Sequence, residues 1–252
     1  MIKRKLNINQ TNKMKNTLKI LLCSIGLIFL SCNENFNTGI QGSGNITKEK
    51  RTIAANFEKI ASSSGVTVIV EQGSPLSLEV EADDNLLQYV ITKIENGTLI
   101  VKIEKNINTQ SPINVTVKMP SIASLESSSG SIISSKNTLR GNGILLNTSS
   151  GGEIEAVLEY EKVTCESSSG SNITVSGKAL NLKTVTSSGS EIDAEELAAN
   201  EIIADASSGS FTKVKPIVKL KGTASSGSSI NYYQKPKTLI KEESSGGSVT
   251  NE

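Results

Sequence analysis

The tripeptide Ser-Ser-Gly recurs along this 252-residue chain with its glycines at Gly65, Gly130, Gly151, Gly170, Gly189, Gly209, Gly227 and Gly246, and each copy offers two hydroxyls that a base could turn into nucleophiles. No such base accompanies them. The chain has no His, which removes Ser-His and Cys-His pairs, imidazole general bases and His-containing zinc sites. No G-x-S-x-G elbow presents a serine on a strand-to-helix turn either. What chemistry remains is acidic or thiol-based. Asp193, Glu195 and Glu196 are carboxylates of the type that polysaccharide lyases and glycosidases use. Asp83-Asp84-Asn85 offers oxygens to calcium and Cys165 offers a thiol. A concave cluster of three or more acids with a Lys or Arg would mark an enzyme, and an unbroken polar face would mark a binding surface. Without further acids at ligand spacing, the Asp pair reads as the N-cap of a short turn over 86–91, and the acids of 193–196 read as a solvated face. Cys165, with no neighbouring His, reads as a small buried apolar residue. No catalytic residue, cofactor or metal site is assigned.

The serines and glycines must be placed by something, and the spacing says what. From Gly130 onward successive glycines lie 21, 19, 19, 20, 18 and 19 residues apart, a fixed period of the kind that marks a solenoid. Aligned on glycine, the position seven before holds Ala123, Ile144, Val163, Leu182, Ile202, Leu220 and Leu239, and the position three after holds Ile133, Ile154, Ile173, Ile192, Thr212, Ile230 and Val249. Five before stand Leu125, Leu146, Cys165, Thr184, Ala204, Gly222 and Lys241, and five after stand Ser135, Ala156, Val175, Ala194, Val214 and Tyr232. Columns two residues apart mean strands. Each rung is therefore a strand arriving at Ser-Ser-Gly, a bend, and a strand leaving, with odd offsets inward and even offsets outward. One rung cannot bury its own inner face, so equivalent strands stack in parallel, and an all-β, parallel, right-handed β-helix of ~19-residue rungs is expected.

The glycine is expected at the corner because a repeated sharp bend needs positive φ or freedom from side chains. On that reading Gly177, off the column, tolerates a side chain better than Gly189 does. The neighbouring serines are expected to stack into hydroxyl ladders. Residues 42–120 are less regular than 121–252 but share the register, since Ile60, Val68 and Val70 keep the same offsets from Gly65. Strands are read at 67–71, 76–81, 98–103 and 114–118, with 86–91 as a short capped turn of helix or an extra strand covering the open end of the stack. Aromatic residues are only 3% and Trp is absent, so the core is aliphatic and sugar stacking is poorly provided for. Tyr232-Tyr233 is the one pair available, and strand alternation buries one of the two.

The start of the chain reads as an address. Ile20 to Leu30 is an eleven-residue apolar run behind Lys13, Lys15 and Lys19, the n-region and h-region of a secretory signal and too short for a permanent span. Met14 offers an internal start as an alternative to Met1. The run ends in Phe29-Leu30-Ser31-Cys32, which resembles a bacterial lipobox, so Cys32 is the expected lipid attachment site after removal of 1–31. Residues 32–41 would be a tether and 42–252 the folded domain. Cys165 then stands alone and no intramolecular disulfide forms in the mature chain. The first 31 residues hold six Lys/Arg and no acid, which leaves the remainder at a net −5. That lacks the basic footprint of nucleic-acid binding.

Gly42-Ser43-Gly44-Asn45-Ile46, Arg51-Thr52-Ile53, Phe57-Glu58-Lys59-Ile60 and Gly65-Val66-Thr67-Val68-Ile69-Val70 occur in that order, followed by Asp84-Asn85-Leu86-Leu87, Asn96-Gly97-Thr98-Leu99 and the Ser-Ser-Gly rungs. Over residues 42–250 this series resembles the auto-transporter adhesins with a head GIN domain, secreted or lipid-anchored proteins common in Bacteroidetes. The resemblance implies a β-helix and no catalytic residues. The expected protein is a non-catalytic, lipid-anchored envelope module that meets the membrane through Cys32 and presents a solenoid face to a protein or polysaccharide. A polysaccharide-active β-helix enzyme and an envelope scaffold are the alternatives.

Overall fold

The computed structural model describes residues 39–53 and 55–252, so Cys32, Met14 and the signal-like run lie outside the described residues. The front part contains β1 (Ile40–Gln41), β2 (Ile46–Lys50), β3 (Lys59–Ser62), β4 (Thr67–Gln72), β5 (Ser77–Asp83), β6 (Val90–Glu95), β7 (Thr98–Ile103), β8 (Ile107–Asn108) and β9 (Asn114–Met119). The regular part contains β10 (Ser124–Ser128), β11 (Ile132–Ser135), β12 (Leu139–Ser149), β13 (Glu153–Ser167), β14 (Asn172–Thr186), β15 (Glu191–Ala206), β16 (Phe211–Ala224), β17 (Ser229–Tyr232), β18 (Thr238–Glu243) and β19 (Ser248–Asn251).

The rungs stack in parallel, with Ile154↔Ile173↔Ile192↔Thr212↔Ile230↔Val249 in one column and Val163↔Leu182↔Ile202↔Leu220 in another. The columns predicted to point inward are buried through the middle of the stack, with Ile173, Ile192, Leu182 and Ile202 at most 2% exposed. β13, β14 and β15 run unbroken through a second bend that the glycine alignment does not mark. Alternation lapses there, at Glu161-Lys162, Leu180-Asn181 and Asn200-Glu201, where two successive side chains face outward. The unequal spacings leave traces. The 20-residue rung carries a register shift around Glu195 opposite Thr174 and Ser176, a bulge that takes up the extra residue. Pro216 sits beside the next irregularity, between Ala194 and Glu201, where a missing N–H breaks no regular ladder.

The 65-residue gap between Gly65 and Gly130 has a topological cause. β3 and β4 stack on β10 and β11, in the shared register Ile60↔Leu125 and Val68↔Ile133. On their other side lie β7 and β9. The chain therefore leaves the Gly65 rung, builds a rung beneath it, and returns to continue above. Antiparallel strands close that lower end: β6 on β7, β5 on β9, and β2 on β5. The segment 86–91 becomes a 3-10 turn at Leu87–Tyr89 followed by β6. Arg51 ties this cap together, its guanidinium donating to the carbonyls of Val90 and Leu87 and to the Thr92 hydroxyl.

The Asp pair does not cap that turn. The turn's N-cap is Leu86 with no side-chain bond. Asp83, only 1% exposed, instead accepts the Gly44 N–H (3.0 Å) and the Thr109 hydroxyl (2.5 Å). Asp84 accepts the Ser43 hydroxyl (2.5 Å) and the Asn45 amide (2.9 Å). These bonds hold its carboxyl below the usual range, the Ser43 bond most of all. The two carboxylates thus fasten the 42–45 segment to the cap.

Candidate functional site

The Ser-Ser-Gly corners are backbone devices. At all eight, the serine before the glycine has φ between 48° and 69° and the glycine has φ between 66° and 79°, the signature of a type I′ turn. At six of the eight the residue after the glycine closes the turn by donating its N–H to the first serine's carbonyl, as Ser190 does to Ser187 (3.2 Å) and Gly247 to Ser244 (2.8 Å), while the Val66 N–H donates to the Ser131 hydroxyl (3.3 Å) and the Ser171 hydroxyl to the Ser168 carbonyl (2.7 Å). Neighbouring corners are joined as well. Each glycine N–H donates to the serine carbonyl of the next rung, from Gly65 to Ser129 (3.1 Å) through Gly227 to Ser245 (3.1 Å). A Cβ added to Gly65, Gly130, Gly151, Gly170, Gly189, Gly209 or Gly227 would meet nothing within 4 Å, so conformation and not crowding selects glycine.

Gly177 reverses the expectation made for it. Its φ is +111° and an added Cβ would lie 2.1 Å from the Leu158 carbonyl oxygen, which makes it the more demanding position. The hydroxyl ladder also belongs to other residues. The buried hydroxyls flank the tripeptide: Thr148 donates to Ser167 (2.9 Å), and Ser190, Ser210 and Ser228 donate to carbonyls of the preceding rung at 2.7, 3.0 and 2.8 Å. The tripeptide serines themselves face solvent or lie half-buried along the corner.

Asp193, Glu195 and Glu196 do come together, with Glu155, around an open concavity of about 360 Å³ bordered by Thr174 and Ser176. Lys213 bonds Asp193 at 2.7 Å and Glu191 at 3.4 Å. This is the acid cluster with a lysine that would mark an enzyme, so its chemistry matters. The hydrogen bond to Asp193 holds the Lys213 ammonium well above the ordinary lysine range, the opposite of what a lysine base needs. The other oxygen of Asp193 accepts the Glu195 N–H (3.2 Å). The ion pair with Asp193 favours the charged form of the lysine. Among the described residues no group of three or more His, Cys, Asp or Glu is disposed to hold a metal ion.

The larger concavity lies at the second bend. It is an open groove of about 680 Å³ crossing the rungs from β12 to β16. Its floor is the column Gly141↔Tyr160↔Ala179, continued on β15 by Ala198. Gly141 leaves room for the Tyr160 ring, since a Cβ there would come within 2.7 Å of it. The Tyr160 hydroxyl donates to the Ile122 carbonyl (2.9 Å), and burial pushes its pKa up to about 12. Leu180, 51% exposed, and Ile217, 37% exposed, form apolar walls, and Glu161, Lys178 and Asn200 provide polar ones. The glycine alignment could not locate this groove, because unequal spacings shift its floor from eleven residues after Gly130 to nine after Gly151 and Gly170. Of the tyrosine pair, Tyr232 is buried and Tyr233 is 39% exposed. Cys165 is fully buried, and that burial pushes its thiol up to about 12.

Residues 56–236 match the model of the family described as "Putative auto-transporter adhesin, head GIN domain". No curated protein matches the chain. Solved structures of similar fold include a putative adhesin from Bacteroides fragilis (TM-score 0.78, 17% identity, covering 85% of this chain and 100% of that one). A putative adhesin from Parabacteroides merdae follows at TM-score 0.69 and 20% identity, covering 85% and 99%. A protein from Parabacteroides distasonis called a putative lipid binding protein has TM-score 0.69 and 17% identity, covering 84% and 99%. At these identities the likeness concerns the fold.

Proposed function

The chain belongs to the family of auto-transporter adhesins with a head GIN domain, and from that premise we propose that it is a non-catalytic interaction module of the cell envelope, anchored through a lipid on Cys32. The observation that supports a binding role is the second-bend groove, an open, largely apolar channel with a few polar groups on its walls. It crosses several rungs, so a ligand would lie along the stack and not in an enclosed cavity. A polysaccharide or an extended protein segment suits that shape. Purified residues 39–252 should retain one member of a panel of polysaccharides, peptidoglycan and envelope proteins. Leu180→Glu with Ile217→Glu should reduce retention at least about tenfold, or roughly 1.4 kcal/mol, at unchanged Tm. Full retention by that variant would exclude the groove. Lipid anchoring is tested separately: Cys32→Ala should move the full chain out of the membrane fraction, and continued membrane retention would refute the anchor.

A polysaccharide-active enzyme is the second reading, favoured by the acidic concavity alone. The charged, bonded state of Lys213 weighs against it. Bond cleavage in the same panel, with and without calcium, abolished by Asp193→Asn, Glu195→Gln or Glu196→Gln, would replace the adhesin reading with this one.

A further inference from the structure

In the last described rung two of the inward columns change character. Five residues before the corner glycine, Leu125, Leu146, Cys165, Thr184 and Ala204 all point into the core fully buried. The register continues through Gly222 to Lys241. Three before it, Ser127, Thr148, Ser167, Thr186, Ala206 and Ala224 are buried, and the next in register is Glu243. Two core columns therefore end on opposite charges, both on β18, the strand that pairs with β16 and, among the described residues, has no partner on its outer side.

Both residues are exposed, yet their head groups are bonded. Lys241 Nζ donates to the Val249 carbonyl and stands 5.5 Å from the centre of the Tyr232 ring. Glu243 Oε1 accepts the Val249 N–H at 2.6 Å. A strand in a parallel ladder bonds its two neighbours through alternate residues. β19 reaches toward β17 through the Ser248 N–H, which donates to Ser228 (3.0 Å), so the N–H and C=O of Val249 face the free edge. The two side chains take up the backbone groups with which another strand would pair, and they lie across the buried Val249 and Tyr232. An unprotected parallel edge above an aliphatic core is a template for adding a further strand.

We propose that Lys241 and Glu243 form a built-in terminator, whose task is to stop a second copy of this chain from adding, edge to edge, to the last rung. The variant to make is Lys241→Leu with Glu243→Ala, which restores residue types found earlier in the same two columns and leaves net charge unchanged. By sedimentation velocity across a concentration series, residues 39–252 should remain monomeric, while the variant self-associates at least about tenfold more tightly with an unchanged β-sheet circular dichroism spectrum. The matched control, Lys237→Ala with Glu242→Ala, removes the same charges from this segment without touching Val249 and should stay monomeric. A folded variant that remains monomeric, a control that associates equally, or a parent that associates as strongly as the variant each overturns the proposal. Should the double variant fail to fold, Glu243→Ala alone decides it: amide exchange at Val249 should accelerate at least about tenfold, and unchanged exchange there removes the terminator.

Discussion

Glycines in this chain do two different jobs, and a side chain tells them apart. At Gly189 the left-handed backbone is the whole requirement, with open space where a Cβ would go, and Gly189→Val should cost about 1–2 kcal/mol for the forced conformation. At Gly177 the same substitution adds a clash with the Leu158 carbonyl to a φ of +111° and should cost at least twice as much, read as the larger fall in Tm. Equal falls would mean that the rung below gives way freely. Titration offers a second residue-scale test. Burial raises the Cys165 thiol from 9.0 to about 12 and the Tyr160 hydroxyl from 10.0 to about 12. In both, the folded chain favours the protonated form, so this stabilisation is complete below about pH 9 and is lost as pH climbs toward 12. Thermal melts from pH 8 to pH 11.5 should show Tm declining, and Cys165→Ala with Tyr160→Phe should flatten that decline. An equally steep decline in the double variant would place the alkaline sensitivity elsewhere.

Strands are held by the columns they contribute, and the columns were the legible part of the sequence. Ile173 and Ile192 sit one above the other in the core at 1% and 0% exposure. Either one changed to Ala should cost on the order of 2–5 kcal/mol through lost transfer energy and the cavity left behind. Lys183→Ala, on the outward side of β14, should change stability by less than about 0.5 kcal/mol. Chemical denaturation of the three variants measures this, and comparable losses in all three would refute the register. A period of two around a fixed glycine carries that information because strand geometry imposes it on every rung. The second bend carried no such mark. It falls where the chain can gain or lose a residue without disturbing either neighbouring column, as where Ile217 and Val218 stand opposite the single Asn200, so no residue type recurs there. The groove over Tyr160 was illegible for the same reason. The Asp83 bonds were illegible for another: their partners Gly44 and Thr109 are 39 and 26 residues away, joined only once β5 has folded back on β9 and β2 on β5.

At the scale of the whole molecule a folded-back antiparallel cap lies beneath the Gly65 rung and Lys241 and Glu243 stand on the last described rung, with nearest-neighbour stacking between them. In such a one-dimensional array each rung's stability comes from itself and the rungs it touches. A lesion in the cap should therefore stay near the cap. Asp83→Ala would leave the Gly44 N–H and the Thr109 hydroxyl without their acceptor inside a site that is 1% exposed, a local cost of about 1–3 kcal/mol. The rung of β3 and β4 feels it first, because β7 and β9 lie directly beneath. The central rungs of β14 and β15 are separated from the cap by β10 to β13 and should be insulated. Hydrogen exchange resolved along the chain should show faster exchange in β2, β5, β6, β7 and β9, a weaker effect in β3 and β4, and parent-like protection in β14 and β15. Uniform acceleration through β15 would mean that the stack opens as one cooperative unit, and the nearest-neighbour account would have to be abandoned for a single core shared from end to end.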